Sequence, residues 1–270
     1  MHTNKQLPQG VPQALAEALF QIPKAAVALS GGVDSSYLLY AAKACHVDVR
    51  AYYVHSPFQP QFEMDDATKI AEAVGVPFTC IPLDVLSCEA VKNNPIDRCY
   101  YCKRMILQAI LERAEADGYA TLLDGSNASD NAADRPGTRA LRECHVRSPL
   151  KEAGLTKEDI RTYAKRAGLF TWNKPAYACL ATRVPTGVEL TRSLLERIAH
   201  AEDALFAMGF TDFRARVVGE AAKLQLPAAQ MQRAAKEHAA LVKALSPWFC
   251  EVLLDLTPRG VSPDAGDKKQ

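Results

Sequence analysis

No apolar run in this chain of 270 residues is long enough to span a membrane. The first 24 residues carry charges and prolines and hold no continuous apolar stretch, which argues against a secretory signal. An excess of either charge is missing too: 32 Lys and Arg nearly cancel 31 Asp and Glu, leaving a net +1. No global field therefore draws the chain to nucleic acid. Only local basic groupings stand out, at Arg98, Lys103 and Arg104 and at Arg214 and Arg216. There is no internal repeat and no low-complexity block. Eight cysteines without an export signal read as reduced thiols, used for packing, metal binding or chemistry. A cytoplasmic protein is the expectation.

What is present is an alternation of strand-like and helix-like segments. An amphipathic helix over Val11 to Ile22 leads in. Strands Ala25–Leu29, Val49–Val54, Phe78–Leu83 and Thr121–Leu123 then alternate with helices from Ser35, over Glu63–Val74 and from about Tyr101. This order predicts βαβ units, a parallel sheet with helices on both faces, and ligand binding at the carboxyl ends of the strands. Thr156-Lys157-Glu158-Asp159 opens a further helix with a capping pattern. Later, Thr191 caps a helix to Met208, followed by strands Phe213–Val218 and Lys223–Leu226, a helix Pro227–Leu245 and a strand Phe249–Leu256. The expected division is an α/β domain over 1–172, a linker over 173–190 carrying Cys179, a small α+β domain over 191–258 and a disordered tail over 259–270.

The sharpest motif is Ser30-Gly31-Gly32-Val33-Asp34-Ser35-Ser36, between the first strand and its helix. That geometry presents free backbone N–H groups and the positive helix end to a phosphate. Paired glycines allow close approach, and the three serines add hydroxyl donors. The loop lacks the lysine of the GK[ST] ending, so it is not a Walker A loop. It resembles the SGGxDS loop of the PP-loop ATP pyrophosphatases, which have a Rossmann-like fold and cleave ATP between the α- and β-phosphates to adenylate a substrate. Asp34 and Asp130 are candidate Mg²⁺ ligands, with an acid that stabilises the helix dipole as the plainer role for Asp34. At the level of Val54, His55 and Ser56 such enzymes hold the adenine, usually through backbone groups. Gly125, in Asp124-Gly125-Ser126-Asn127, would let the α-phosphate pass close.

The second motif is Arg98-Cys99-Tyr100-Tyr101-Cys102-Lys103. Two thiols three residues apart at a helix start share a face near the positive dipole end, beside cations that favour thiolate. A redox pair, a structural zinc site, a pair of core cysteines and an iron–sulfur cluster compete. The redox pair lacks its fold context and zinc lacks a second pair. The cluster would take Cys99, Cys102 and Cys179, leaving one iron open for sulfide.

Over nearly its whole length the chain resembles the LarE-type ATP-dependent sulfur transferases. The matches add His55-Ser56-Pro57, Arg135-Pro136-Gly137, Ser148-Pro149-Leu150, Trp172-Asn173-Lys174-Pro175-Ala176, Cys179-Leu180-Ala181-Thr182-Arg183 and the Arg214-x-Arg216 strand to the motifs above. The resemblance implies adenylation of a carboxylate of pyridinium-3,5-biscarboxylic acid mononucleotide and its conversion to a thiocarboxylate, for the nickel-pincer cofactor of a lactate racemase. In sacrificial members the cysteine matching Cys179 gives up its own sulfur and becomes dehydroalanine. Others hold a 4Fe–4S cluster on three cysteines, and the set Cys99, Cys102 and Cys179 fits that type. Lys103, Mg²⁺ and the loop N–H groups would stabilise phosphate charge. Arg214 and Arg216, on one face of a strand, would bind the anionic mononucleotide; a solvated basic face is the plainer role. Where members tend to carry His and Glu, this chain has Val218 and Gln225. A homo-oligomer, and an enzyme that supplies or receives the cofactor precursor, are the expected partners. A tRNA thiolase, an ammonia-using ligase and a non-catalytic ATP sensor are the competing readings.

Overall fold

The computed structural model describes residues 7–130 and 136–260. The chain separates into two compact units, one running to Val91 and again over Ile96–Lys174, the other comprising Lys92–Pro95 and the chain from Pro175.

In the first unit, in chain order, stand α1 (Gln13–Phe20), β1 (Lys24–Ala28), α2 (Val33–Ala44), β2 (Asp48–His55), α3 (Gln61–Val74), β3 (Phe78–Pro82), the short α4 (Glu89–Lys92) at its edge, α5 (Arg98–Ala116), β4 (Leu122–Leu123), α6 (Pro136–Glu143), α7 (Pro149–Glu152) and α8 (Lys157–Arg166). The strands form a parallel sheet of order β3-β2-β1-β4. Alternate residues of each strand feed opposite cores, as strand geometry requires. Ala25, Val27, Val49, Ala51 and Tyr53 pack with Leu15, Leu38, Ile70 and Ile160 from α1, α2, α3 and α8. Ala26, Tyr52, Val54 and Leu122 pack with Leu107, Ile110 and Leu141 from α5 and α6. Helices thus cover both faces. Because β2 and β4 flank β1, the chain reverses its direction of sheet growth at β1, and the crevice outside that switch point is where such sheets bind ligands.

The second unit contains α9 (Arg192–Ala207), β5 (Arg214–Val218), β6 (Ala221–Gln225), α10 (Ala228–Lys236), α11 (His238–Leu245) and β7 (Glu251–Leu254). Its mixed sheet has the order β5-β6-β7, antiparallel then parallel. Leu195, Ile198 and Leu205 of α9 are buried.

Two elements differ from expectation. The helix expected over Pro227–Leu245 is two helices, parted at Glu237, whose backbone leaves the helical region at φ −93°, ψ 17°. Neither glycine nor proline marks the break. Helix α5 begins at Arg98 rather than near Tyr101, so both thiols of the Cys99–Cys102 pair lie inside it. Of the expected tail, Arg259 is fixed by its backbone N–H to Leu226 O and its side chain to Asp212. Residues 261–270, and Arg135 of the Arg-Pro-Gly motif, lie outside the described residues.

Candidate active site

The loop after β1 is built around glycine. Gly31 has φ +72°, and a Cβ there would stand 2.8 Å from Glu63 O, so both its backbone and its surroundings exclude a side chain. Gly32 is the N-cap of α2 and brings no side-chain cap to the first N–H groups of that helix. The serines brace the turn: Ser35 Oγ accepts from Ser30 N–H at 3.1 Å, and Ser36 Oγ donates to Gly32 O at 2.7 Å. From β4, Gly125 closes on the same turn, where a Cβ would stand 2.8 Å from the Ser35 nitrogen. Its lack of a side chain thus serves the packing of the β4 end against the start of α2.

Asp34 points into this corner. One carboxylate oxygen bonds the Lys157 ammonium; the other is buried with no hydrogen-bond partner. Burial raises the Asp34 pKa, Lys157 partly offsets this, and Asp130 pushes it up further. Asp130 itself caps Asn127 N–H at 3.0 Å. A second lysine, Lys174, holds the loop from below, donating to Gly31 O at 3.2 Å and pairing with Asp66 at 2.6 Å.

Two hollows open beside the loop. A small one is lined by Leu29, Ser30, Tyr53, Val54 and Gln59. A larger cavity of about 810 Å³ is walled by Cys99, Lys103, Ser126, Asp130, Ser148 and Lys151, among others. Lys103 lies 3.5 Å from Asp124, which also accepts from Ser126 and Ser148 hydroxyls. Cys99 is exposed and receives an N–H from Arg98 at 3.5 Å; Cys102, three residues on, is partly buried. The i, i+3 spacing sets both thiols on one side of α5.

In the second unit Cys179 is the N-cap of a single 3₁₀ turn, Leu180–Arg183. This turn is held by buried charge. Arg183 and Glu202, on α9, form a two-pronged pair at 2.8 and 2.9 Å with almost no solvent exposure. Glu202 also takes the Tyr177 hydroxyl and the Ala215 N–H. Burial is the largest influence on the Arg183 pKa and pulls it down, but the Glu202 hydrogen bond and charge, with Tyr177 and Cys179 nearby, together outweigh it and leave the pKa above the ordinary value. Arg214 and Arg216 share a face of β5, as expected, yet their donors point inward. Arg214 reaches Phe213 O and Ala176 O; Arg216 reaches Thr182 O at 2.8 Å and Gln225 Oε1. Burial, with Arg183 and Arg259 nearby, lowers the Arg214 pKa to about 10. Gln225 donates in turn to Asp255 at 2.9 Å, a bond that a glutamate could not make. Val218 is exposed at the end of the strand.

Residues 7–92 match the asparagine synthase family model, which covers the strand, glycine loop and first helices described above. The pyridinium-3,5-bisthiocarboxylic acid mononucleotide synthase of Lactiplantibacillus plantarum is 35% identical over 219 residues, 80% of this chain and 79% of that protein. The chain belongs to the LarE-type family of PP-loop sulfur transferases. An uncharacterized protein of Synechocystis sp. is 33% identical over 79% of this chain and 80% of its own length. A probable tRNA sulfurtransferase of Caldanaerobacter subterraneus is more distant, at 26% identity over 70% of this chain and 52% of its own length.

As a LarE-type, ATP-dependent sulfurtransferase, the enzyme belongs to a superfamily that implies ATP with Mg²⁺. The residues at the loop fit both: uncapped helix N–H groups suit phosphate, and the unpartnered Asp34 oxygen suits a cation. An iron–sulfur cluster fits less well. Among the described residues no three His, Cys, Asp or Glu side chains gather as a metal-binding group. Also among the described residues, no helix is long and apolar enough to cross a membrane. The family motifs named Lys174 and Arg183 without their roles. Lys157 and Glu202 were missed. For Glu202 a signal existed: it falls on the apolar stripe of α9 beside Ala201 and Leu205.

Proposed function

We propose that this enzyme adenylates a carboxylate of pyridinium-3,5-biscarboxylic acid mononucleotide with ATP and replaces one oxygen by sulfur drawn from Cys179. ATP turns a poor electrophile into an acyl-adenylate, and pyrophosphate leaves. The N–H groups at the start of α2 and Lys103 oppose the phosphate charge. Asp34, with Asp130 near it, would hold Mg²⁺, which draws charge from the phosphates when bound. Lys103, Arg142 and Lys151 line the larger cavity and suit an acceptor that carries two carboxylates and a phosphate. The Cys179 thiolate takes the acyl group, and AMP leaves.

One observation carries this reading: an uncapped, glycine-built helix start stands beside a buried carboxylate oxygen that lacks a partner. Incubation with ATP, Mg²⁺ and the mononucleotide is expected to yield AMP and pyrophosphate, with the acceptor gaining the mass difference of sulfur for oxygen. ADP as the nucleotide product would overturn it. Thiolated tRNA would move the acceptor and keep the adenylation.

A second reading draws sulfide from a 4Fe–4S cluster. It is favoured by the Cys99–Cys102 pair on one turn of α5 with Arg98 against the first thiol. Such a cluster would supply an open iron that carries exogenous sulfide. Anaerobic reconstitution with iron and sulfide separates the two: a brown protein whose colour is lost in Cys99→Ala, Cys102→Ala and Cys179→Ala supports the cluster, and a colourless one removes it.

A further inference from the structure

The carbonyl of Cys179 accepts three donors at once: Thr182 N–H at 3.0 Å, Thr182 Oγ1 at 2.8 Å and Arg183 Nη1 at 3.2 Å. A neutral peptide carbonyl has two lone pairs, which the two Thr182 donors fill; Arg183 Nη1 is a third donor, shared with Ala178 O at 2.5 Å and free to shift toward the Cys179 oxygen as charge builds there. The same Arg183 nitrogen also donates to Thr182 Oγ1 at 2.9 Å, which leaves the hydroxyl proton for the Cys179 carbonyl. Arg183 is itself locked by Glu202, and Glu202 by Tyr177 and Ala215. Donors fixed in a buried network gain strength as charge builds on the oxygen they face, and they need no reorganisation when it does.

We infer that Thr182 and Arg183 form an enolate hole for the Cys179 carbonyl, which drives elimination of sulfur from that residue. The inference rests on the proposed transfer through Cys179. Once the thiol is acylated, hydroxide removes the Cα proton of residue 179. The electron pair delocalises onto the carbonyl held by Thr182 and Arg183, then forms the Cα–Cβ double bond. The Cβ–S bond breaks, sulfur leaves as the thiocarboxylate with the bonding pair, and dehydroalanine remains. The step is redox-neutral and needs no further reagent. Thr182 and Arg183 touch the reacting group and are catalytic; Glu202 and Tyr177 position them.

The test needs neither ATP nor acceptor. The full-length protein is S-cyanylated at its thiols, because thiocyanate is a competent leaving group, and held in mild base. Peptide mapping then follows dehydroalanine at residue 179, with Cys250 of the same molecule as internal reference. Elimination at Cys179 is expected to exceed that at Cys250 and to slow about tenfold or more in Thr182→Val. Thr182→Ser, which keeps the hydroxyl, is expected to restore it. Thr182 is only partly buried, so these variants decide the matter even where Arg183→Lys does not fold. Unchanged elimination in Thr182→Val overturns the inference, and so does a Thr182→Ser variant as slow as Thr182→Val. Since no nucleotide is involved, such a failure leaves adenylation untouched. Conversely, loss of pyrophosphate release with elimination intact would sink only the proposed function.

Discussion

The loop after β1 and the turn at Cys179 solve opposite problems. At the loop, groups are left wanting partners: the first N–H groups of α2 have no side-chain cap, and one Asp34 oxygen is buried alone. At the turn, groups are fully partnered or more, with three donors on the Cys179 carbonyl and all four acceptor sites of the Glu202 carboxylate taken. An under-satisfied site is ready for a ligand that arrives and leaves. A fully satisfied one is held in place by its own network before any ligand arrives.

The comparison breaks most completely at Gly31. Gly31→Ala puts a methyl against Glu63 O and forces an alanine to φ +72°. ATP-dependent pyrophosphate release is expected to fall at least about a hundredfold, since misplaced groups at a phosphate site cost on that order. A variant with ordinary rates would show that the loop tolerates a different path.

At the turn the first casualty is stability. Glu202→Ala leaves Arg183 buried and unpaired and is expected to cost about 3–5 kcal/mol in denaturant unfolding. A loss below about 1 kcal/mol would mean that Arg183 finds other acceptors, and the turn would then be softer than its contacts suggest.

The smallest change sharpens the contrast. Gln225→Glu keeps the shape of the side chain but removes the N–H that serves Asp255. The Asp255 pKa is lowered chiefly by that hydrogen bond, with Thr257 N–H and Lys223 helping. A lowered carboxyl contributes stability above its unfolded pKa and loses it as pH falls through the folded value. The variant is therefore expected to be less stable than the parent at pH 7, by about 1 kcal/mol, with the gap closing toward pH 3. Thermal unfolding at the two pH values checks this; a gap that widens on acidification would refute it.

The sheet and the phosphate loop were legible because their signals are local: apolar strands, a glycine pair and a helix start lie within twenty residues of one another. Val54 fell on the wall of the small hollow for the same reason. The groups that complete each site were not legible. Lys157 stands in a capping-box helix whose letters announce only a helix, and its reach to Asp34 spans 123 residues. The i, i+2 spacing of Arg214 and Arg216 put them on one face, but alternation does not say whether that face meets water or a turn of the chain. Here it meets Ala176 O and Thr182 O. The donors on the Cys179 carbonyl were equally out of reach, since nothing in the letters says which way Arg183 turns.

Lys174 gives the first unit a calendar. The glycine loop leaves the ribosome 143 residues before the lysine that ties down Gly31 O, a delay of roughly 7 to 30 seconds at ordinary elongation rates. Through that interval the nascent chain can pair β1 with β2, but the carbonyl of Gly31 lacks its lysine partner. A ribosome stalled upstream of residue 174 therefore displays the glycine loop without the contact that holds Gly31 O.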